Sequence, residues 1–308
     1  MNDFCNKICK CEYAKANVFV GRQQYDRYID HAVINKSTYI YNMYPETDEL
    51  HREKIQNHAV TYIGSLVPTK GFHVLAAVWK TILKEVPDAT LNVVGNGKLY
   101  GRNSKLGKYN IAEDSYEKQF MSGLTDDEGN ILPSVHFWGV LGVEKNDVIR
   151  NTCVGVVNPT GRTETFGISA LDFESMSVPV VTIAKGGFLD TVLNEKTGLL
   201  YGHTDDFAKD IIMLLKNDKL NEQYGRDGVQ LCKKFTPDKI IKEWNRLFLK
   251  VLNDEKMEYI EPDSFMETNL KKYRCLNRKI KNAIGVEYPI SVIGAESFAR
   301  NVLRRMGK

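Results

Sequence analysis

From residue 58 onward, short apolar runs alternate with amphipathic helical patterns, and this alternation restricts the fold more than any other property of the chain. The runs "VTYIGSL" (60–66), "ATLNVVG" (89–95), "VHFWGV" (135–140), "VGVVNP" (154–159), "VPVVTIA" (178–184) and "TGLLY" (197–201) are predominantly apolar. Strands without a polar face must be covered on both sides, the condition of a parallel sheet between helices. The intervening segments fit that role. "FHVLAAVWKTILKEV" places Phe72, Leu75, Val78, Trp79, Ile82, Leu83 and Val86 at helical spacing. "EKNDVIRNT" reads as a short helix, and "TDDFAKDIIMLLKN" (204–217) as a longer one with Thr204 as N-cap. The predicted class is α/β, with a Rossmann-like parallel sheet.

Two segments stand apart from the alternation. Residues 99–134 are polar and glycine-containing, with one helix expected around Ser115–Met121. They are too long for an ordinary connection and read as a functional insertion or a lid. "FTPDKIIKEWNRLFLKVL" reads as a closing helix, with Thr236 as N-cap, Pro237 in the first position and Ile240, Trp244, Leu247, Phe248 and Val251 turned inward.

Charge is placed unevenly. Residues 254–268 hold six acids against one lysine, residues 269–308 hold ten Lys/Arg against Glu287 and Glu296, and the remainder is balanced. The basic tail is therefore the part to examine for an anionic partner. The chain has no apolar stretch of membrane-spanning length, and "MNDFCNKICKCEYAK" lacks a signal-peptide core, so the expectation is a cytoplasmic protein, peripheral at the inner face of the membrane if the tail docks there. The six cysteines include the dense "CNKICKC", which supplies three thiols without a fourth ligand and fits no standard zinc spacing; reduced thiols are expected.

An open parallel sheet binds ligand at the carboxyl ends of its strands. The informative motifs fall there: "SLVPTKG" with Lys70, "GNGK" (95–98), "NPTGRTETFG" and "AKGG" (184–187). Glycines that admit a close backbone, helix starts and a lysine together describe an anion pocket. "GNGK" is neither the dinucleotide fingerprint nor a GK[ST] loop, so Gly95 and Gly97 read as turn residues that also line a ligand. Lys70 is better explained by an anion than as a solvated lysine, because a cation is slightly unfavourable at a helix start. Glu164 and Asp172 flank seven residues at the mouth of the fourth strand.

In order and spacing, "YIGSLVPTKGFHVL", "LNVVGNGKLYG", "VHFWGVLG", "NPTGRTETFGISALDFESMSVPVV" and "AKGGFLDTVLNEKTGLL" resemble the donor domain of retaining family 4 glycosyltransferases, which have the GT-B fold. The resemblance covers residues 58–250. It implies a nucleotide diphosphate sugar as donor, no cofactor and no essential metal, and no nucleic-acid partner. It further implies that Glu164 positions the donor sugar, that Asp172 stands where a glutamate clasps the ribose, and that Lys70 meets the diphosphate. Gly64, Ser65, Gly95 and Gly97 would line the donor, Val140 would present its backbone to the base, and Thr165, Phe166, Gly167 and Ile168 would offer backbone N–H groups. The chain departs from the pattern at Asp172, one methylene shorter than glutamate, and at Ser65, where many relatives have an arginine; Arg162 is the candidate replacement. Asp190 stands where glutamate is common.

Such enzymes carry an N-terminal acceptor domain, whereas residues 1–57 resemble only its last strand, helix and linker. His31 lies in the wrong element for the acceptor-side histidine and reads as a surface residue. The expected organisation is 1–57 as a remnant of that domain, 58–253 as the donor domain and 254–308 as an acidic linker and basic helical tail. The implied activity is hexosyl transfer to a glycan or lipid-linked acceptor; the alternative is a non-catalytic nucleotide-sugar-binding module, or half of a split enzyme with a separate acceptor subunit. In the tail, Leu270, Tyr273, Leu276, Ile280 and Ile284 recur at helical spacing among lysines and arginines. Either this stripe packs on the domain or it docks on an anionic membrane, with the acidic run holding the tail down in its absence.

Overall fold

The computed structural model describes residues 2–45, 57–97, 105–262 and 270–306. Contacts divide the chain into a unit Tyr44–Thr236 and a second unit that joins Met1–Met43 to Pro237–Lys308.

In Tyr44–Thr236 all six expected strands form: β1 Ala59–Ile63, β2 Thr90–Val94, β3 Val135–Gly139, β4 Val154–Val156, β5 Val180–Ile183 and β6 Gly198–Tyr201. They pair in parallel in the order 3-2-1-4-5-6, so strand order reverses between β1 and β4. The helices are α1 Phe72–Glu85, α2 Asp114–Met121, α3 Lys145–Arg150, α4 Ile168–Glu174, α5 Phe188–Thr191, α6 Thr204–Lys216 and α7 Asp218–Cys232. α6 begins at Thr204 itself, and His203 takes the cap position without a side-chain bond.

Two apolar clusters explain the unbroken strand patterns. Val60, Tyr62, Leu91, Val93, Val154 and Val156 join Phe72, Trp79 and Ile82 of α1 and Phe207 and Ile211 of α6. Val157, Val178 and Val180 join Ile149 of α3, Phe173 of α4 and Phe188 of α5. Gly155 permits the second contact, since a Cβ there would lie 2.5 Å from the Phe173 ring.

The described part of the expected insertion, residues 105–134, is no lid. Ala112, Tyr116, Phe120, Met121 and Leu124 belong to the main core, and the Phe120 ring meets that of Phe72 edge-on at 5.0 Å. The buried Glu117 carboxylate accepts from the backbone N–H groups of Tyr109, Ile111 and Ala112 and so organises the loop from inside. Residues 98–104, which include Lys98 of "GNGK", lie outside the described residues.

In the second unit, strands Asn17–Phe19 and Ser37–Tyr39 pair in parallel around the short helix Arg22–Asp26. Phe19 faces a core with Tyr25, Tyr28, Ile29, Val33 and Ile293. Ile40 and Val18 pack with Ile240, Leu247, Trp244 and Val251 of the helix Pro237–Leu252. That helix thus clusters with residues 1–43, whereas the sequence reading drew a boundary at 253. Phe248, expected inward, is 54% exposed. The tail forms the helices Lys271–Ile284 and Val292–Arg305 in this same unit. His31 is also not a surface residue. It is buried and caps the turn Ala32–Lys36, with Nδ1 accepting from the Val33 N–H and Nε2 bonded to Asn6. Burial, with Lys281 nearby, lowers its pKa. Cys5 is a core residue whose thiol pKa is raised by burial. Among the described residues, no cluster of three or more His, Cys, Asp or Glu side chains is placed to hold a metal ion.

Candidate functional site

The loops after β1, β2, β3, β4 and β5 all lie at the carboxyl edge of the sheet, because every strand runs the same way. The crevice of such a sheet opens where strand order reverses, here between the loops after β1 and β4. The structure brings those two loops into direct contact. Thr160 Oγ1 donates to the Thr69 carbonyl at 2.7 Å. A Cβ on Gly71, which has φ 72°, would lie 2.9 Å from the Thr160 nitrogen.

Lys70 and Glu164 meet across this seam, with Lys70 Nζ 3.0 Å from Glu164 Oε2 and the side chains 29% and 13% exposed. Glu164 is held from three sides. Asn158 Nδ2 also donates to Oε2 at 3.2 Å, and the Gly167 N–H donates to Oε1 at 3.1 Å. One of the expected backbone donors, the Gly167 N–H that precedes α4, is therefore engaged by the carboxylate itself. The Tyr62 hydroxyl donates to the Lys70 carbonyl at 3.0 Å, fixing the lysine's backbone from the core side.

The loop that carries Glu164 is conformationally unusual. Asn158, Gly161, Thr163 and Gly167 all have positive φ, and two of them are neither glycine nor at a helix end. Backbone of this kind persists only where surroundings over-determine it, which is common at functional sites. Here the Asn158 amide ties down the Arg162 carbonyl at 3.0 Å, and the loop after β5 presses from outside. The Gly187 N–H donates to the Glu164 carbonyl at 3.3 Å, and a Cβ on Gly187 would lie 2.3 Å from the Phe166 nitrogen. Thr165 and Arg162 are exposed on this loop. Arg162 is electrostatically felt at His73, near the start of α1, whose pKa is lowered first by burial and then by this cation. The Phe166 side chain is buried edge-on against Phe235, so only its backbone can reach a ligand.

One turn beyond Ile168, which is 51% exposed, Asp172 projects from α4. Its Oδ2 lies 2.7 Å from Lys145 Nζ, and its Oδ1 accepts from the Tyr44 hydroxyl at 3.2 Å. The Tyr44 hydroxyl also bonds Ser175 at 3.1 Å, and burial raises its pKa. Glu174, two residues on, has a different fate. It is fully buried, accepts from Thr197 Oγ1 at 2.6 Å, and has its pKa raised well above the ordinary carboxyl range by burial. The two acids two positions apart are thus sorted by α4: one to the half-buried rim, the other into the core.

The glycines after β1 and β2 have packing roles. A Cβ on Gly95 would fall 2.0 Å from the Gly64 carbonyl oxygen, and one on Gly97 2.7 Å from the Ala112 Cα. These turns are backbone packed on backbone, which explains them without a ligand. Ser65 is half-buried, and Val140, after the β3 bulge at Trp138, is 61% exposed. Asp190 is half-buried in α5. Sequence reasoning missed Lys145, Asn158 and Tyr44, none of which stands in a recognisable spacing with the acids. It also left Lys185 out of the site, although "AKGG" marked it. Lys185 is exposed, and its Cβ is 3.0 Å from where a Gly161 Cβ would sit.

A parallel sheet in the order 3-2-1-4-5-6 with a lysine–carboxylate pair at its switch point defines a Rossmann-like α/β domain. Residues 45–230 match the family described as glycosyl transferases group 1, and the chain belongs to it. Similar proteins include an uncharacterised glycosyltransferase of Methanocaldococcus jannaschii, 25% identical over 69% of this chain and 53% of its own length. The capsular polysaccharide biosynthesis glycosyltransferase CapM of Staphylococcus aureus is 26% identical over 59% of this chain and 43% of its own. The chain therefore spans about half the length of the curated relatives it matches. Among solved structures, S. aureus TarM superposes with a TM-score of 0.62 at 18% identity, over 80% of this chain and 46% of that one. Anabaena HepE, solved with UDP and glucose, gives 0.61 at 16% identity, over 81% of this chain and 68% of its own. The fold is that of GT-B glycosyltransferases.

Proposed function

We propose that the chain is the donor-binding part of a retaining, family 4 type glycosyltransferase that uses a nucleoside diphosphate sugar. The observation that carries this reading is the Lys70–Glu164 pair spanning the switch point. It sets a diphosphate-seeking cation and a polyol-seeking carboxylate side by side. Glu164 accepts hydrogen bonds from sugar hydroxyls, and Asp172, once Lys145 or Tyr44 yields a bond, accepts from the ribose. Lys70 turns from Glu164 to the diphosphate, with Arg162 and Lys185 on the same rim as further cations. Gly64, Ser65, Gly95, Gly97 and Val140 form the floor and the base side, and Thr165, Phe166, Gly167 and Ile168 the wall. UDP in the HepE and TarM complexes makes uridine the first base to test.

Transfer would follow the same-face route. The C1–O bond to the diphosphate breaks, the acceptor oxygen bonds C1 from that face, and its proton passes to the departing phosphate oxygen. Charge on the leaving group is met by Lys70 and its neighbours, without a metal. The acceptor is a hydroxyl of a glycan or lipid-linked sugar.

Calorimetry with UDP-glucose and UDP tests the assignment. Glu164→Ala should weaken the nucleotide sugar more than the bare nucleotide, and Asp172→Ala should weaken both alike. Identical losses for the two variants would remove the roles given to them. Binding abolished by EDTA and restored by Mg²⁺ would overturn the metal-free reading. Hydrolysis or transfer of the donor by this chain alone separates an enzyme from a binding module.

A further inference from the structure

The tail helix Lys271–Ile284 is packed inside out. Arg274, Arg278 and Lys281 are buried, while Tyr273, Leu276, Ile280 and Ile284 are 64%, 56%, 44% and 55% exposed. The turn that follows the helix Arg22–Asp26 leaves the carbonyls of Arg27, Ile29 and Asp30 without helical partners, and these face the tail. Arg274 donates to the Arg27 carbonyl at 2.7 Å, Arg278 to those of Ile29 and His31, and Lys281 to that of Asp30 at 2.7 Å. Asp30 is itself bonded by Asn277 and by the Val292 N–H. Once the cations point inward, helical phase drives the apolar stripe outward.

The second tail helix, Val292–Arg305, also exposes apolar residues, although no cation of it is buried. Ile293 is buried, and the opposite side presents Phe298 and Val302, with Met306 just beyond the helix end. Residues 273, 276, 280 and 284, and likewise 298, 302 and 306, recur at three- and four-residue spacing, so each set is one stripe. Exposed apolar surface of this extent marks an interaction site.

We propose that this face docks on an anionic lipid surface, lying in its plane. The argument for that occupant is charge. The tail's acids are spent within the unit, Glu296 on Arg274 and Arg27, and Glu287 on Arg278, Lys281 and Asn35. In the described part of the acidic run, Asp254 pairs with Lys15 and Glu258 with Lys250, whereas Glu255 and Glu261 are exposed. The exposed charges flanking the stripes are Lys272, Lys279 and Arg305, all cations. A second copy of this chain would set like charges against each other, whereas anionic headgroups satisfy them while the stripe enters the acyl boundary. Each helix has 14 residues, about 21 Å, and no helix among the described residues is long and apolar enough to cross a membrane. The docking does not depend on the donor site.

The test is co-sedimentation of the full chain with vesicles of phosphatidylcholine, alone or mixed with phosphatidylglycerol, and sizing in parallel. The wild type should partition onto phosphatidylglycerol vesicles at least about tenfold more strongly than onto phosphatidylcholine. The exposed-residue variant Leu276→Ser/Ile280→Ser/Phe298→Ser should lose about tenfold or more of that binding with an unchanged melting temperature. Lys272→Gln/Lys279→Gln/Arg305→Gln should remove the lipid preference. No pelleting at low salt would overturn the proposal, as would full binding by the serine variant. So would a wild-type dimer without lipid affinity that the serine variant makes monomeric.

Discussion

Replacing Lys70 by methionine keeps the aliphatic length of the side chain and removes only its charge. In the ligand-free chain that charge faces Glu164 at 3.0 Å in a half-buried setting. Two unit charges at that distance attract by about 5 kcal/mol at an effective dielectric of 20. Stripping water from both groups offsets most of this, leaving a net value of about 1 kcal/mol. Glu164 retains its bonds from Asn158 and Gly167 in the variant, so Lys70→Met should lower folding stability by no more than that. Nucleotide binding should respond differently, because in the proposed function the lysine contacts the diphosphate directly. A lost charge-assisted contact of about 1–3 kcal/mol corresponds to about a 5- to 150-fold weaker UDP. Glu164→Gln separates the two effects. It frees Lys70 from its competitor and preserves an acceptor for the Gly167 N–H. UDP affinity should therefore hold or rise while that for UDP-glucose falls. Titration calorimetry at low and high salt measures both, and the Lys70 contribution should shrink as salt rises. Wild-type UDP affinity in Lys70→Met at low ionic strength would refute the reasoning.

Two further predictions concern the fold that holds the site. Glu174 has its folded pKa raised by burial, so the folded chain keeps a proton that the unfolded chain releases. Its contribution to stability is complete below about pH 4 and declines as pH rises toward the folded value. Glu174→Gln cannot titrate, so its stability relative to wild type should increase between pH 4 and 8 in denaturant titrations; a difference independent of pH would show the group ionised in the fold. Gly95→Ala places a methyl 2.0 Å from the Gly64 carbonyl oxygen at φ 135°, and should cost about 2–4 kcal/mol in unfolding free energy. A loss below about 0.5 kcal/mol would show that the β1 and β2 turns separate freely.

What the sequence determined by itself is periodic or adjacent. Six apolar runs of strand length, separated by amphipathic helices, have one economical solution, a parallel sheet covered on both faces, and the strands formed where the runs predicted them. The placement of Lys70 and Glu164 at carboxyl ends followed from the same pattern, since parallel strands put all their outgoing loops at one edge. Tertiary structure decided whatever depends on partners distant in the chain. Asp172 and Glu174 differ by two positions, but only the packing of α4 sends one to Lys145 and the other to Thr197. Residues 105–134 look like a polar insertion until Glu117 folds them around its carboxylate. Helix Pro237–Leu252 directly follows the unit Tyr44–Thr236 in sequence, yet its apolar face is covered by Val18 and Ile40. The tail shows the limit most clearly. Its amphipathic spacing is legible, but the face that turns inward is the one whose cations donate to turn carbonyls some 250 residues earlier, in preference to the burial of leucine and isoleucine.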